Sequence, residues 1–217
     1  FLSFIICFMN EHNILGAILA GGKSKRMGKD KLFLNINDKP IIEYTINKVK
    51  KYLEKVIIVT NHENTYFQQN KLVTVKDCIP GQLGPLVGIL TAMEWAKNNI
   101  PKCKWIATFP CDTPFFPEEV ITRFIEESKK EDSLLLCASA HGRKHNIFGL
   151  WSLDLYERLK NDLIKNNIRK VQEWTEKNNI KNLEFNFKNY DPFYNINTEE
   201  ELKISKNILK KINDEKK

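Results

Sequence analysis

Residues 14–31 read Ile14-Leu15-Gly16-Ala17-Ile18-Leu19-Ala20-Gly21-Gly22-Lys23-Ser24-Lys25-Arg26-Met27-Gly28-Lys29-Asp30-Lys31. The short apolar run Leu15 to Ala20 reads as a buried strand, and it gives way at once to a turn rich in glycine and lysine. Glycine lets the backbone bend sharply and expose its N–H groups to phosphate oxygens, while the neighbouring Arg and Lys supply compensating charge. Open α/β sheets bind ligands at the carboxyl ends of their strands, so the stretch predicts an anion-binding loop at such an end. Taken alone, a glycine-rich surface turn beside solvated lysines reads equally well. Two better-known glycine motifs are excluded. Gly28-Lys29 is followed by Asp30 rather than Ser or Thr and position 23 is Lys, so there is no P-loop, and G-x-G-x-x-G does not occur.

Outward from this stretch, short strand-like runs alternate with amphipathic helical patterns, the sequence form of an α/β fold with a mostly parallel central sheet. Strands are predicted at Leu15–Ala20, Val56–Thr60, Val73–Lys76, Trp105–Pro110, Leu134–Ser139 and Leu183–Phe187. Helices are predicted at Ile41–Leu53, Pro85–Asn98, Pro117–Lys130, Leu153–Asn166, Ile168–Asn178 and Glu199–Ile212. Pro85 and Pro117 suit first helical turns, and Thr198 with Glu201 three residues on forms a capping box. No repeat or linker divides the chain, so residues 9–217 read as a single domain. The apolar Phe1–Phe8 is too short to span a bilayer and lacks the flanks of a secretory signal. With Met9 following, it reads as a non-native or mis-assigned extension, a membrane-surface anchor being the alternative.

The 217 residues carry 34 Lys and Arg against 27 Asp and Glu, a formal charge of +7. Only Arg26, Arg123, Arg143, Arg158 and Arg169 are arginines, which argues against a polynucleotide-reading face, since bidentate readout falls mostly to Arg. Lysine runs such as Lys48, Lys50, Lys51 and Lys210, Lys211 read as solvated helix faces, and the basic balance suits a small anionic substrate. Cys7, Cys78, Cys103, Cys111 and Cys137 are odd in number, with no C-x-x-C, which points to reduced thiols in a cytoplasmic protein.

Three further segments carry polar chemistry. Phe109-Pro110-Cys111-Asp112-Thr113-Pro114-Phe115 places an acid just past an apolar strand, where its carboxylate is positioned to hold Mg²⁺ against nucleotide phosphates or, more plainly, to cap the following turn. Asp77, followed by Gly81-Gln82-Leu83-Gly84-Pro85-Leu86-Val87-Gly88, repeats the arrangement of acid and glycine turn, Gly84 and Gly88 leaving room for a base or ribose. Asn195 and Asn197 share one side of an extended segment, as substrate contacts or as turn residues before a capped helix. Cys137, His141 and His145 recur at helical spacing, but Gly142 and the strand-like Leu134–Ser139 argue against a metal site on a helix there.

Taken in order, L-A-G-G-x-S-x-R-M-G-x-D-K, an Asp before G-P-L-x-G, P-C-D-x-P-F and N-x-N-T-x-E-E-L resemble the molybdenum cofactor guanylyltransferases, over about residues 14–205. The resemblance implies a three-layer Rossmann-like domain that transfers GMP from GTP to the terminal phosphate of Mo-molybdopterin, with Mg²⁺ as cofactor. It implies that Leu19, Ala20, Gly21 and Gly22 hold the nucleotide, Lys31 its phosphates, Asp77 the guanosine, and Asp112 the nucleotide through the metal. Arg26 would serve the transition state together with Lys31 and Asp112, while Asn195 and Asn197 would serve the acceptor. A cytoplasmic monomer is expected, acting on GTP and Mo-molybdopterin with molybdoenzyme-assembly proteins as further partners, and without nucleic acid or membrane. A cytidylyltransferase of the same fold, or a non-catalytic nucleotide-binding accessory protein, is the alternative. Two positions depart from the family pattern: Asn146 where His-Pro is common after the hairpin arginine, and Asn167 where Gly is frequent. Both fall in the acceptor half.

Overall fold

The computed structural model describes residues 13–21, 31–81, 84–130, 132–187 and 191–214; residues 1–8, Gly22 and Arg26 lie outside the described residues, as does the side chain of Lys31. Strand β1 (Ile14–Leu19) is buried along its whole length. A 3₁₀ turn (Lys31–Phe33) leads into a small hairpin of β2 (Asn35–Ile36) and β3 (Lys39–Pro40), then α1 (Ile41–Tyr52). Next come β4 (Lys55–Val59), α2 (Thr65–Gln69), β5 (Val73–Val75), α3 (Pro85–Asn99) and β6 (Trp105–Pro110). The second half holds α4 (Glu119–Glu127), β7 (Leu135–Ala140), β8 (Arg143–Ser152), α5 (Tyr156–Ile164), α6 (Val171–Lys177), β9 (Lys181–Phe185) and α7 (Glu199–Asp214).

Seven strands form one sheet in the order β5-β4-β1-β6-β8-β7-β9. Every pairing is parallel except the two made by β8. Alternation along β1 sends Ile14 and Ile18 to one face, where they pack with Ile42, Ile46 and Val49 of α1 and Phe124 of α4. Leu15, Ala17 and Leu19 go to the other face, against Leu90 and Met93 of α3, Leu159 of α5 and Trp174 of α6. Helices therefore cover both faces, giving the expected three-layer α/β sandwich. A third cluster, around Ile36, Ile41, Phe115, Ile196 and Ile208, docks α7 beside the β2–β3 hairpin. Among the described residues no helix is long and apolar enough to cross a membrane.

The differences from the sequence reading are physical. Ten-residue β8 escapes a period-two reading because its first half, Arg143 to Asn146, is polar while its second half is apolar on both faces. It pairs Cys137 with Gly149 and Ala138 with His145, so Asn146, Ile147 and Phe148 bulge out of register. The Thr108 hydroxyl holds that bulge, donating to the Ile147 carbonyl at 2.6 Å and accepting from Trp151 Nε1 at 2.8 Å. The last strand starts two residues earlier than predicted. Pro117 precedes α4 instead of entering its first turn, its carbonyl accepting from Val120 N–H at 3.1 Å. The lysines of α1 are not simply solvated: Lys51 pairs with Glu118 at 2.6 Å, and Lys48 reaches the carbonyls of Pro114 and Phe116. The capping box forms as read, with Glu201 N–H donating to Thr198 Oγ1 at 3.1 Å and Thr198 N–H to Glu201 Oε2 at 2.9 Å.

Candidate active site

After β1 the chain runs to β4 and β5 on one side, then returns to the other side of β1 as β6, so the switch point of the sheet lies between β1 and β6. Their last register pair is Leu19 with Pro110. Gly21 and Asp112 each stand two residues beyond, at the same end of adjacent parallel strands, where the diverging loops leave a crevice. A cavity of about 510 Å³ opens there, bounded by Leu19, Gly21, Val59, Asp77, Pro110 and Asp112. Ala20 N–H donates to the Val59 carbonyl and Cys111 N–H to the Leu19 carbonyl, at 2.9 and 3.2 Å, so both loops leave the sheet along fixed paths. Gly21 is exposed, and a Cβ added to it would meet nothing within 4 Å.

Asp112 is half-buried, with Thr113 Oγ1 donating to its Oδ1 at 3.3 Å. Its backbone carbonyl accepts the N–H of Ile196 at 2.9 Å, which ties the Asn195–Asn197 segment to the β6 loop. Pro110 and Pro114 limit the turn on either side.

On the β4 side, Asp77 is bound reciprocally to Asn61, a residue the sequence reading passed over. Asn61 Nδ2 donates to Asp77 Oδ2 at 2.7 Å and Asp77 N–H donates to Asn61 Oδ1 at 3.0 Å. Both line the cavity. An Asn two residues past a strand looks like an ordinary turn residue, and only the parallel pairing of β4 with β5 reveals its partner. The amino end of α3 also faces the cavity through Gly84, Pro85 and Gly88. Gly84 has φ 93° and ψ −179°, a conformation open essentially to glycine alone. Gly88 faces Leu19 as well: an added Cβ would stand 3.3 Å from Leu19 Cδ2, so this glycine serves the packing of α3 on β1 in addition to leaving space for ligand.

The far wall is the hairpin strand β8. Arg143, Lys144, His145 and Asn146 line the cavity with Phe193 and Asn195. The His145 ring stacks on Phe193 at 4.2 Å between centroids, and burial pushes its pKa below the ordinary imidazole value. Cys137 donates weakly to Asn146 Oδ1 at 3.4 Å, and burial drives its thiol pKa up to about 12. Cys137, His141 and His145 thus lie on a β-hairpin, and among the described residues no cluster of three His, Cys, Asp or Glu could hold a metal. Asn195 borders the cavity; Asn197 is half-buried, its backbone N–H donating to Glu201 Oε2 at 2.6 Å.

Of the residues expected to handle a nucleotide, the structure brings Leu19, Gly21, Asp77 and Asp112 to one cavity, with Ala20 in the strand-to-loop bend; Asn195, expected for the acceptor, lines the same cavity. Gly22, Arg26 and the Lys31 side chain lie outside the described residues. Mg²⁺ is commonly held by one or two carboxylates, with substrate phosphates and water completing its shell. Asp112 offers one such hard oxygen donor to the cavity, which fits that requirement.

Fold and crevice together define a class: a three-layer Rossmann-like α/β protein whose ligand crevice opens at the switch point of its sheet. Residues 16–180 match the family described as MobA-like NTP transferase domain; the chain belongs to that family and is a nucleotidyltransferase. It is 33% identical over 188 residues to a molybdenum cofactor guanylyltransferase of Nitrobacter hamburgensis, covering 86% of this chain and 90% of the relative. A molybdenum cofactor guanylyltransferase of Mesorhizobium japonicum is 31% identical over 203 residues, covering 92% and 97%. Among solved structures, molybdopterin-guanine dinucleotide biosynthesis protein A from Archaeoglobus fulgidus superposes with a TM-score of 0.70 at 21% identity, covering 91% of this chain and 99% of that one. A 4-diphosphocytidyl-2C-methyl-D-erythritol synthase from Anaerococcus prevotii gives 0.69 at 14% identity, covering 94% and 99%. These two structural likenesses speak for the fold.

Proposed function

We propose that this chain transfers GMP from GTP to the terminal phosphate of Mo-molybdopterin, forming the molybdopterin guanine dinucleotide cofactor and pyrophosphate. The observation that carries the reading is the convergence of Gly21, Asp77 and Asp112 on one crevice, in a chain about 30% identical to relatives named for this activity. An oxygen of the acceptor phosphate attacks the α-phosphorus of GTP; a new P–O bond forms, the bond from the α-phosphorus to the α,β-bridging oxygen breaks, and pyrophosphate departs. No side-chain nucleophile is needed, so catalysis consists of positioning and electrostatics.

The backbone N–H of Gly21 is offered to the triphosphate, and Lys31 and Arg26 offset the repulsion between two anionic reactants. Asp112 would hold Mg²⁺, which when bound would neutralise charge building on the phosphates. Asn61 and Asp77, joined to each other, receive the guanosine. Arg143, Lys144 and Asn195 line the side from which an anionic acceptor enters. The test is pyrophosphate release with each of the four nucleoside triphosphates, with and without Mo-molybdopterin. Release with GTP that requires the cofactor supports the reading; release with CTP alone supports the second reading, favoured by the shared fold of the cytidylyl-type neighbour, and no release supports a nucleotide-binding accessory protein.

A further inference from the structure

We propose that Lys48 is a positioning residue for Asp112. The loop from Pro110 to Phe116 carries Asp112 at the crevice and then turns inward, with Phe115 and Phe116 fully buried. Its two prolines, Pro110 and Pro114, lack N–H groups, and so the loop cannot brace itself by a regular ladder of backbone bonds. Lys48, on α1, supplies a brace from outside. Its Nζ donates to the carbonyl of Pro114 at 2.8 Å and to that of Phe116 at 2.6 Å, and stands 4.8 Å from the centre of the Phe116 ring. These are charge-assisted bonds, of the stronger kind. On the other side of the acid, Ile196 N–H holds the Asp112 carbonyl at 2.9 Å. The main chain around Asp112 is thus gripped from α1 and from the segment before α7.

A methylene stem topped by an ammonium is required for this reach. Loss of the ammonium leaves two loop carbonyls without that donor and lets the turn relax, displacing the carboxylate without touching it. The consequence is a fault in metal and transition-state alignment, with nucleotide recognition at Asn61 and Asp77 left intact. This inference rests on the reading of Asp112 as the carboxylate that holds Mg²⁺ and nucleotide.

The test compares Lys48→Met, Asp112→Asn and the double variant, each checked for folding by circular dichroism. Two quantities are read: Mn²⁺ binding in the presence of GTP, followed by electron paramagnetic resonance, and kcat and KM for GTP. Lys48→Met is expected to weaken Mn²⁺ binding roughly tenfold and to lower kcat with KM nearly constant, the scale of one charge-assisted hydrogen bond. Added to Asp112→Asn, it is expected to change neither quantity further, because its effect passes through that carboxylate. Wild-type Mn²⁺ binding by Lys48→Met, or an equal loss in both backgrounds, overturns the proposal alone. Wild-type Mn²⁺ binding by Asp112→Asn overturns the reading of Asp112 and this proposal with it. If Met at position 48 prevents folding, Lys48→Leu, which keeps an apolar stem and carries no donor, serves for the same comparison.

Discussion

Leu19 and Pro110 face each other as the last register pair of β1 and β6, and this places Gly21 and Asp112 at equal heights on either side of the switch-point crevice. The glycine bend and the acid are ninety residues apart in sequence, yet parallel pairing makes them neighbours. If Asp112 supplies the charge that aligns the triphosphate, Asp112→Asn keeps the shape and the Thr113 contact while removing that charge. The expected loss in kcat/KM is on the order of a hundredfold or more, with an unchanged circular dichroism spectrum. Pyrophosphate release assayed at saturating Mg²⁺ checks it, and near-normal turnover contradicts the role.

Asn61 and Asp77 act as a pair, so either side can be broken. Asn61→Ala leaves the Asp77 N–H without its acceptor and the carboxylate without its donor. The expected effect is a rise in KM for GTP of roughly tenfold, about 1.4 kcal/mol, with kcat little changed. Steady-state kinetics with GTP and CTP separate the outcomes: a fall confined to kcat assigns the pair a role other than base recognition.

Much of this architecture was legible from residues alone. The apolar run ending in Leu19-Ala20-Gly21 and the one ending in Phe109-Pro110 announced two strands with polar residues at their carboxyl ends, because a strand buried on both faces is a continuous apolar run whose end is marked by the first glycine or acid. The capping box at Thr198 was readable because its hydrogen bonds join residues three apart. What escaped the reading depends on contacts between distant segments: the β8 bulge is held by Thr108, Asn61 finds its partner on another strand, and Lys48 reaches a loop more than sixty residues away. The hairpin of β2 and β3 was also passed over, although Asn37 and Asp38 at φ 46° and 65° form the kind of two-residue turn that Asn and Asp tolerate.

His145 makes stability depend on pH. Its folded pKa lies below the unfolded value because burial against Phe193 disfavours the charged ring. The unfolded chain therefore takes up a proton first as pH falls, and the contribution present above about pH 6.5 is lost progressively on acidification. His145→Phe keeps an aromatic ring on Phe193 but cannot titrate. Thermal melts from pH 7.5 to 5 are expected to show a smaller fall for the variant than for the wild type; parallel curves contradict the assignment.

Gly84 tests the entry to α3. Any Cβ at φ 93° and ψ −179° is strained, so Gly84→Ala is expected to cost about 1–3 kcal/mol of unfolding free energy, seen as a lower urea midpoint. Because Gly84 and Pro85 border the crevice, nucleotide affinity is expected to fall too. An unchanged midpoint means that the turn can adopt another conformation.

The most direct measurement is a crystal structure with a non-hydrolysable GTP analogue and Mg²⁺. The α- and β-phosphates are expected between the Gly21 backbone and the Asp112 carboxylate, with the base against Asn61 and Asp77. A triphosphate bound elsewhere, or one bound here with Asp112 turned away from both metal and phosphates, contradicts it.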